Sequence, residues 1–313
     1  MLASGFEQRL VDKIEFPALV QLKLDGMRFN AIVTQEDGEF KKVEFRSRNG
    51  KLLNIPNDSF AEQFRRMAEM MSLDDVVFDG ELLILDSDNN PIDRQTGNGI
   101  LSKSIKGTMS ESEATTVHAT LWDAIPYVPF QEGKYNTPYR IRFNDLKDFV
   151  ETMRRGEDYA KCISLVETQV AVDYDSAEKI FQEYLERGEE GIILKDREGI
   201  WENKRSKGQI KFKGELECDL LITDVEEGTG KYDGLLGAIV CETACGTIKV
   251  NVGSGFNEDQ RKTLTKKDLV GKVVAVKYNA RIKNKSGDES LFLPIFVEVR
   301  EDKTNADNAK DVK

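Results

Sequence analysis

A single histidine, His118, stands among 313 residues, which excludes chemistry needing two or more imidazoles in one chain, multi-histidine zinc and iron sites above all. Cysteine is also sparse. Cys162, Cys218, Cys241 and Cys245 form no C-x-x-C pair, and reduced, buried thiols are the expectation. There is no charged-then-apolar leader and no apolar run of about 18 residues, so the reading is an intracellular, cytoplasmic protein, neither secreted nor in a membrane. Asn57-Asp58-Ser59 is then a chance sequon. Basic charge is in deficit, 45 Lys and Arg against 56 Asp and Glu, net −11. That excludes a globally basic nucleic-acid binder but not a locally basic one.

What is present is enough chain for about two domains. Apolar alternation and β-branched runs predict strands near 17–24, 28–34, 42–47, 76–85, 117–125, 163–168, 190–195 and 209–213, interrupted by helices near 58–72, 141–155 and 175–187. After Lys213 the pattern changes to short strands with glycine-rich turns, 216–226, 236–242, 246–252, 272–281 and 291–300. Five strands of this size, with a helix-like segment at 257–267 between the third and fourth, suggest a small oligonucleotide-binding (OB) barrel. The expected domains are 1–213, 214–303 and a polar, disordered tail at 304–313.

The most informative hexamer is Lys23-Leu24-Asp25-Gly26-Met27-Arg28, a lysine presented at a tight turn between two strands. Lysine attacks only when neutral, and a neighbouring cation such as Arg28 favours that form. Downstream stand Arg46-Ser47-Arg48-Asn49-Gly50, Phe78-Asp79-Gly80-Glu81, Trp122-Asp123, Glu190-Gly191-Ile192-Ile193-Leu194-Lys195 and Lys211-Phe212-Lys213. In this order the six segments resemble the motifs of the covalent nucleotidyltransferases, and within them the ATP-dependent DNA ligases. The stretches Arg94 to Ile100, Lys106 to Thr108, Ser290 to Pro294 and Arg300-Glu301-Asp302-Lys303 look most like the T-even-type bacteriophage branch, without the helical DNA-binding domain that longer relatives carry ahead of Met1.

The resemblance implies an α+β fold, a nucleotidyltransferase (adenylation) domain of antiparallel sheets with flanking helices followed by a small OB-fold β-barrel. It also implies a monomer that uses ATP and Mg²⁺ to seal nicks in duplex DNA, in a bacterial or phage-infected cell. Lys23 would become adenylated. Lys211 and Lys213 alternate across one residue, so on a strand both face one side, as a clamp on the α-phosphate requires. Glu81, Glu190 and Asp25 would serve the metal, with Glu81 an alternative holder of the ribose. Trp122 would stack on adenine where relatives usually have phenylalanine. Arg28, Arg48 and Arg300 would bind the nucleotide. Gln21 stands where many relatives have glutamate, at the adenine-selecting contact. Ile295 and Glu298 replace two expected arginines, which implies slow self-adenylation. Gly228-Thr229-Gly230-Lys231 lacks phosphate-loop spacing and reads as a turn.

Three segments, 94–106, 277–285 and 195–213, carry +3, +4 and +4 against −22 on the remaining chain. DNA contacts are therefore expected from Lys103, Lys106, Lys277, Arg281, Lys283 and Lys285, with Arg28, Arg46 and Arg48 nearer the nick. The rival readings are an RNA ligase or RNA-capping enzyme, and a nick-binding module with impaired turnover.

Overall fold

The computed structural model describes residues 1–313 except 7, 37–38, 72–74, 156–161, 215, 279, 284–286 and 313. Contacts divide it into two units, Met1–Lys213 and Gly214–Lys313.

The first unit holds two five-stranded sheets. One runs Glu39–Ser47, Met27–Glu36, Val76–Ile84, Val117–Pro126 and Ile163–Leu165. Along Met27–Glu36, Phe29, Ala31 and Val33 alternate onto the buried face. The helix Asp58–Met70 lays Phe60, Phe64 and Met67 over them. Rings meet at 6.0 Å (Phe29 and Phe64), 5.1 Å (Phe45 and Phe60) and 5.3 Å (Phe60 and Phe64), the offset and edge contacts that aromatic quadrupoles prefer. Asn57 starts that helix by accepting from the Phe60 N–H at 3.0 Å.

The second sheet runs Leu2–Gly5, Arg205–Lys213, Gly191–Lys195, Ala18–Leu22 and Thr168–Ala171. The helix Tyr174–Glu186 covers one face, where Ile192, Leu194, Ile210 and Phe212 are buried. Strand alternation turns Ile193, Lys195, Lys211 and Lys213 to the opposite face. Both sheets are antiparallel except at one edge each, where Leu2–Gly5 pairs in parallel with Arg205–Lys213 and Ile163–Leu165 with Val117–Pro126.

Glycine positions 97 and 99 hid the helix Arg94–Lys106 from periodicity; Asp93, accepting from the Thr96 N–H at 3.0 Å, is its cap. Of the thiols, all unpaired, Cys218 and Cys241 are buried, but Cys245 is exposed in a turn, against expectation.

In the second unit the expected closed barrel is an open sheet, Lys249–Val252, Leu236–Glu242, Leu216–Glu227, Val273–Tyr278 and Ile295–Val299, with a separate hairpin of Ala280–Lys283 and Glu289–Phe292. The strand expected at 291–300 is interrupted because Leu293 takes a positive φ of 52° ahead of Pro294, which has no N–H for a ladder. Among the described residues the sheet edges meet through a single bridge, Ser254 to Ile295. Gly255, at φ 99°, permits that approach, since a Cβ there would lie 2.2 Å from the Phe296 carbonyl oxygen.

The disordered tail is also corrected. Ala309 and Val312 are buried in the core of this unit, and Arg281 Nη1 donates to their carbonyls at 2.6 and 3.0 Å. Asp219 and Asp307 exchange bonds, the Asp219 N–H giving to Asp307 Oδ2 at 2.9 Å and the Asp307 N–H to the Asp219 carbonyl at 2.8 Å. Polar composition hid two apolar anchors and a set of backbone pairings. No helix among the described residues is long and apolar enough to cross a membrane.

Candidate active site

A cleft of about 300 Å³ lies in the first unit, lined by strands of both sheets. Lys23 follows the strand Ala18–Leu22 and is held in place by its N–H, which donates to the Gly191 carbonyl at 2.9 Å. Gly191 has φ 146°, and a Cβ on it would sit 2.1 Å from the Phe212 carbonyl oxygen, so glycine lets three strand ends converge here. The Lys23 amine is bonded to Glu190, whose other oxygen takes Lys213 Nζ at 2.7 Å. Burial raises the Glu190 carboxyl, but Lys23 and Lys213 outweigh it and leave its pKa below the ordinary range. Lys211 and Lys213 both line the cleft. Burial, with Lys213 and Lys23 nearby, holds the Lys211 pKa below the usual lysine value.

The charge bonded to Lys23 is thus an anion. The expected cation, Arg28, is taken by Asp79 through two bonds of 2.9 and 2.6 Å. Its guanidinium also lies 5.9 Å from the centre of the Trp122 ring, which forms part of the cleft wall. Arg48 lines the cleft but Arg46 does not, because the strand ends at Ser47 and the shared face ends with it. Arg46 instead donates to Glu44 at 2.7 Å and to the Gly50 carbonyl at 3.1 Å.

Gln21 is buried, with Nε2 donating to Thr168 Oγ1 at 3.1 Å and Oε1 accepting from the Tyr139 hydroxyl at 3.1 Å. Asp25 pairs with Arg94 at 3.0 Å, while burial and Glu190 keep its pKa above the ordinary value. Glu81 accepts one bond, from the Gly26 N–H at 3.2 Å. Burial outweighs Lys23 and Arg28 and pushes its carboxyl up to about 8.

Among the described residues no three His, Cys, Asp or Glu side chains cluster as a closed metal cage. The withdrawn carboxyl of Glu81 and the more exposed one of Asp25, both with raised pKa values, beside Glu190 do fit a hard divalent ion completed by substrate phosphates.

Glu81 sets a testable pH dependence. The unfolded carboxyl ionises from about 4.5 while the folded one stays protonated to about 8, so the folded state binds more protons in that window. Stability of the nucleotide-free protein therefore falls as pH rises through it. Glu81→Gln should flatten this slope in thermal melts taken at both ends of the window, and an unchanged slope would refute the assignment.

Arg300 belongs to the second unit, where Nη1 bonds both Asp219 oxygens at 3.1 Å and the guanidinium meets Asp302 at 2.9 and 2.8 Å; Lys303 is bonded to Asp219 as well. Of the expected DNA contacts, Lys103 is paired with Glu113, and Arg281 is spent on Glu289 and the tail carbonyls. Lys106 is exposed, and Lys283 is 67% exposed beside Glu289 at 2.9 Å. Lys277 is half-buried. Lys285 lies outside the described residues.

Lys195, Tyr139, Arg205 and Gln209 received no role from the sequence. A signal existed for Lys195, since the period of two in 191–195 puts it on the face of Ile193. None existed for Tyr139, which a helix brings in from another part of the chain.

A family model described as "ATP dependent DNA ligase domain" matches residues 1–213, and one described as "DNA ligase OB-like domain" matches 227–300. Across its whole length the chain is 33% identical to the DNA ligases of Enterobacteria phages T6 and T4, spanning 70% of each. The solved structure titled "Pmar-Lig_PreS3" is 30% identical with a TM-score of 0.73, over 90% of this chain and 63% of that one. Another, from "DNA binding with a minimal scaffold: Structure-function analysis of Lig E DNA ligases", shares the fold at 21% identity and TM-score 0.67, covering 96% and 98%.

Proposed function

The chain belongs to the ATP-dependent DNA ligase family, and from that premise we propose that it seals nicks bearing a 5′-phosphate and a 3′-hydroxyl in duplex DNA, as a monomer, with Lys23 carrying AMP. The observation that carries this reading is the convergence of Lys23, Lys211 and Lys213 at one cleft, with Glu190 bonded to both Lys23 and Lys213.

In the first step Lys23 Nζ passes a proton to the Glu190 carboxylate it is bonded to and, as the neutral amine, attacks the α-phosphorus of ATP; a P–N bond forms as the nitrogen gives up a second proton to solvent, the bond to the bridging oxygen breaks and pyrophosphate departs. Lys211 and Lys213 supply positive charge where the phosphates carry it. The nick's 5′-phosphate oxygen then takes AMP as the P–N bond breaks, and the 3′-hydroxyl finally displaces AMP to close the strand. Trp122 and Ile193 offer faces for the adenine, Arg48 a donor for the ribose or nick phosphate. Gln21, bonded at both ends of its amide, serves the floor of the cleft. Within the second unit Arg300 and Lys303 are held by Asp219 and Asp302.

The family uses ATP and a divalent metal. We take the metal as Mg²⁺, held by Glu190 and Glu81 with Asp25 at the rim, where it would offset phosphate charge.

Sealing of a labelled nicked duplex with ATP and Mg²⁺, together with addition of one AMP by intact mass, tests the reading. Addition of GMP from GTP in its place would point to a capping enzyme, and absence of any adduct to a binding module. Nick affinity is expected to fall steeply with salt, and Lys283→Glu to weaken binding and reduce the salt slope by about one or two. An unchanged slope would remove Lys283 from the DNA surface.

A further inference from the structure

We propose that Tyr139 is a positioning residue of the nucleotide site, its hydroxyl joining Lys195, Gln21 and the Trp122 backbone into one floor that sets affinity for ATP rather than the rate of bond making. The proposal rests on the reading of the cleft as the ATP site.

Tyr139 is 1% exposed. Its oxygen accepts from Lys195 Nζ at 3.0 Å, and its single proton is shared between the Trp122 carbonyl oxygen at 2.7 Å and Gln21 Oε1 at 3.1 Å. Lys195 and Gln21 come from neighbouring strands of one sheet, Trp122 from the other sheet and Tyr139 from the helix Tyr139–Arg154. Lys195, Gln21 and Trp122 line the cleft and Tyr139 does not, so any influence on a ligand passes through those three.

Lys195 is what makes the contact more than a filled space. It is 4% exposed, yet the carboxylates facing it are already committed, Asp123 to Arg142 and Asp79 to Arg28, each through two bonds. Arg142, Arg28 and the Met1 amino group face it too, all cationic or able to be. The hydrogen bond described for its amine goes to Tyr139, and its other neighbours are the ring faces of Tyr139 at 4.3 Å and Trp122 at 5.7 Å. Burial brings its pKa down to about 7, so its charge is finely balanced near neutrality. Removing the Tyr139 oxygen takes an acceptor from a buried ammonium, favours the neutral amine and loosens Gln21 from the helix.

The test compares wild type with Tyr139→Phe, an isosteric change. Lysyl-AMP formation is followed across ATP concentration and pH, and the Lys195 side-chain amine is titrated by NMR in the nucleotide-free protein. The expected result is an ATP concentration for half-maximal adenylation raised about ten-fold, a maximal rate within about two-fold, and a Lys195 titration displaced to lower pH. An unchanged half-saturation, or a loss confined to the maximal rate, would overturn the proposal. Lys195→Gln is the second variant: adding Tyr139→Phe to it should raise half-saturation by less than about two-fold, and full additivity would break the link to Lys195. Because the NMR titration needs no nucleotide, the two readings separate. A wild type that forms no adenylate counts against the cleft as an ATP site, whereas an unmoved Lys195 titration counts against Tyr139 whatever the cleft binds.

Discussion

Lys23→Ala should abolish AMP transfer, lowering self-adenylation and sealing of ordinary nicks by about 10⁴-fold or more, with little change in melting temperature. The side chain is 17% exposed and its loss leaves Glu190 still paired with Lys213, so no buried charge is stranded. No neighbour can substitute. Lys213 is bonded to Glu190 from another strand, and the amine of Lys195, 4% exposed, is held by Tyr139. A nick supplied already adenylated bypasses the lysine, because the last step makes only the bond between the 3′-hydroxyl and the 5′-phosphate. Lys23→Ala should therefore seal that substrate within about ten-fold of wild type. Equal loss on both substrates would show that Lys23 does something other than carry AMP, and residual adenylation would place the nucleophile elsewhere.

The second large effect is on stability. Arg142 is 3% exposed and binds Asp123, 2% exposed, through bonds of 2.8 and 2.9 Å; it also donates to the Gly199 carbonyl at 3.3 Å and to that of Thr137. Arg142→Met strands a buried carboxylate and two carbonyls, and should destabilise the first unit by about 3–5 kcal/mol. For a unit of this size that is a drop in melting temperature of roughly 6–20 °C. Adding Asp123→Leu removes the stranded charge and should recover most of the loss. A single variant that melts within about 2 °C of wild type would contradict this account. Asp123 adjoins Trp122 and faces Lys195, so the freed carboxylate should also draw the Lys195 titration upward.

Strands were legible wherever one face is buried, because Phe29, Ala31 and Val33, or Ile192 and Leu194, print a period of two on the sequence. The helix Arg94–Lys106 was not, since two glycines dilute its propensity and its cap lies outside the basic segment. The barrel was overread for a different reason: strand count does not fix closure, and the break at Leu293 depends on a single backbone angle. At the site, Lys23, Glu190, Lys211 and Lys213 could be picked out by motif and spacing. Which cations are already committed could not. Arg28, Lys103, Arg281 and Arg300 each look available in a linear reading, and each is claimed by a carboxylate that folding brings from at least two and up to 81 positions away. Tyr139 depends on a long-range encounter of the same sort, 56 residues from Lys195 and 118 from Gln21.

The strands 191–195 and 205–213 are read in phase, odd positions to the cleft and even ones to the core beneath Tyr174–Glu186. Their tolerance to change should accordingly be lopsided. Swapping one aliphatic residue for another at Ile192 or Ile210 is a small perturbation, whereas inserting or deleting a single residue upstream in either strand would invert the frame. It would drive Lys211 and Lys213 under the helix and present Phe212 to the nucleotide. Changes in length should therefore be tolerated in the turns between these strands, and a library that randomises their composition should yield active clones far more often than one that randomises their spacing.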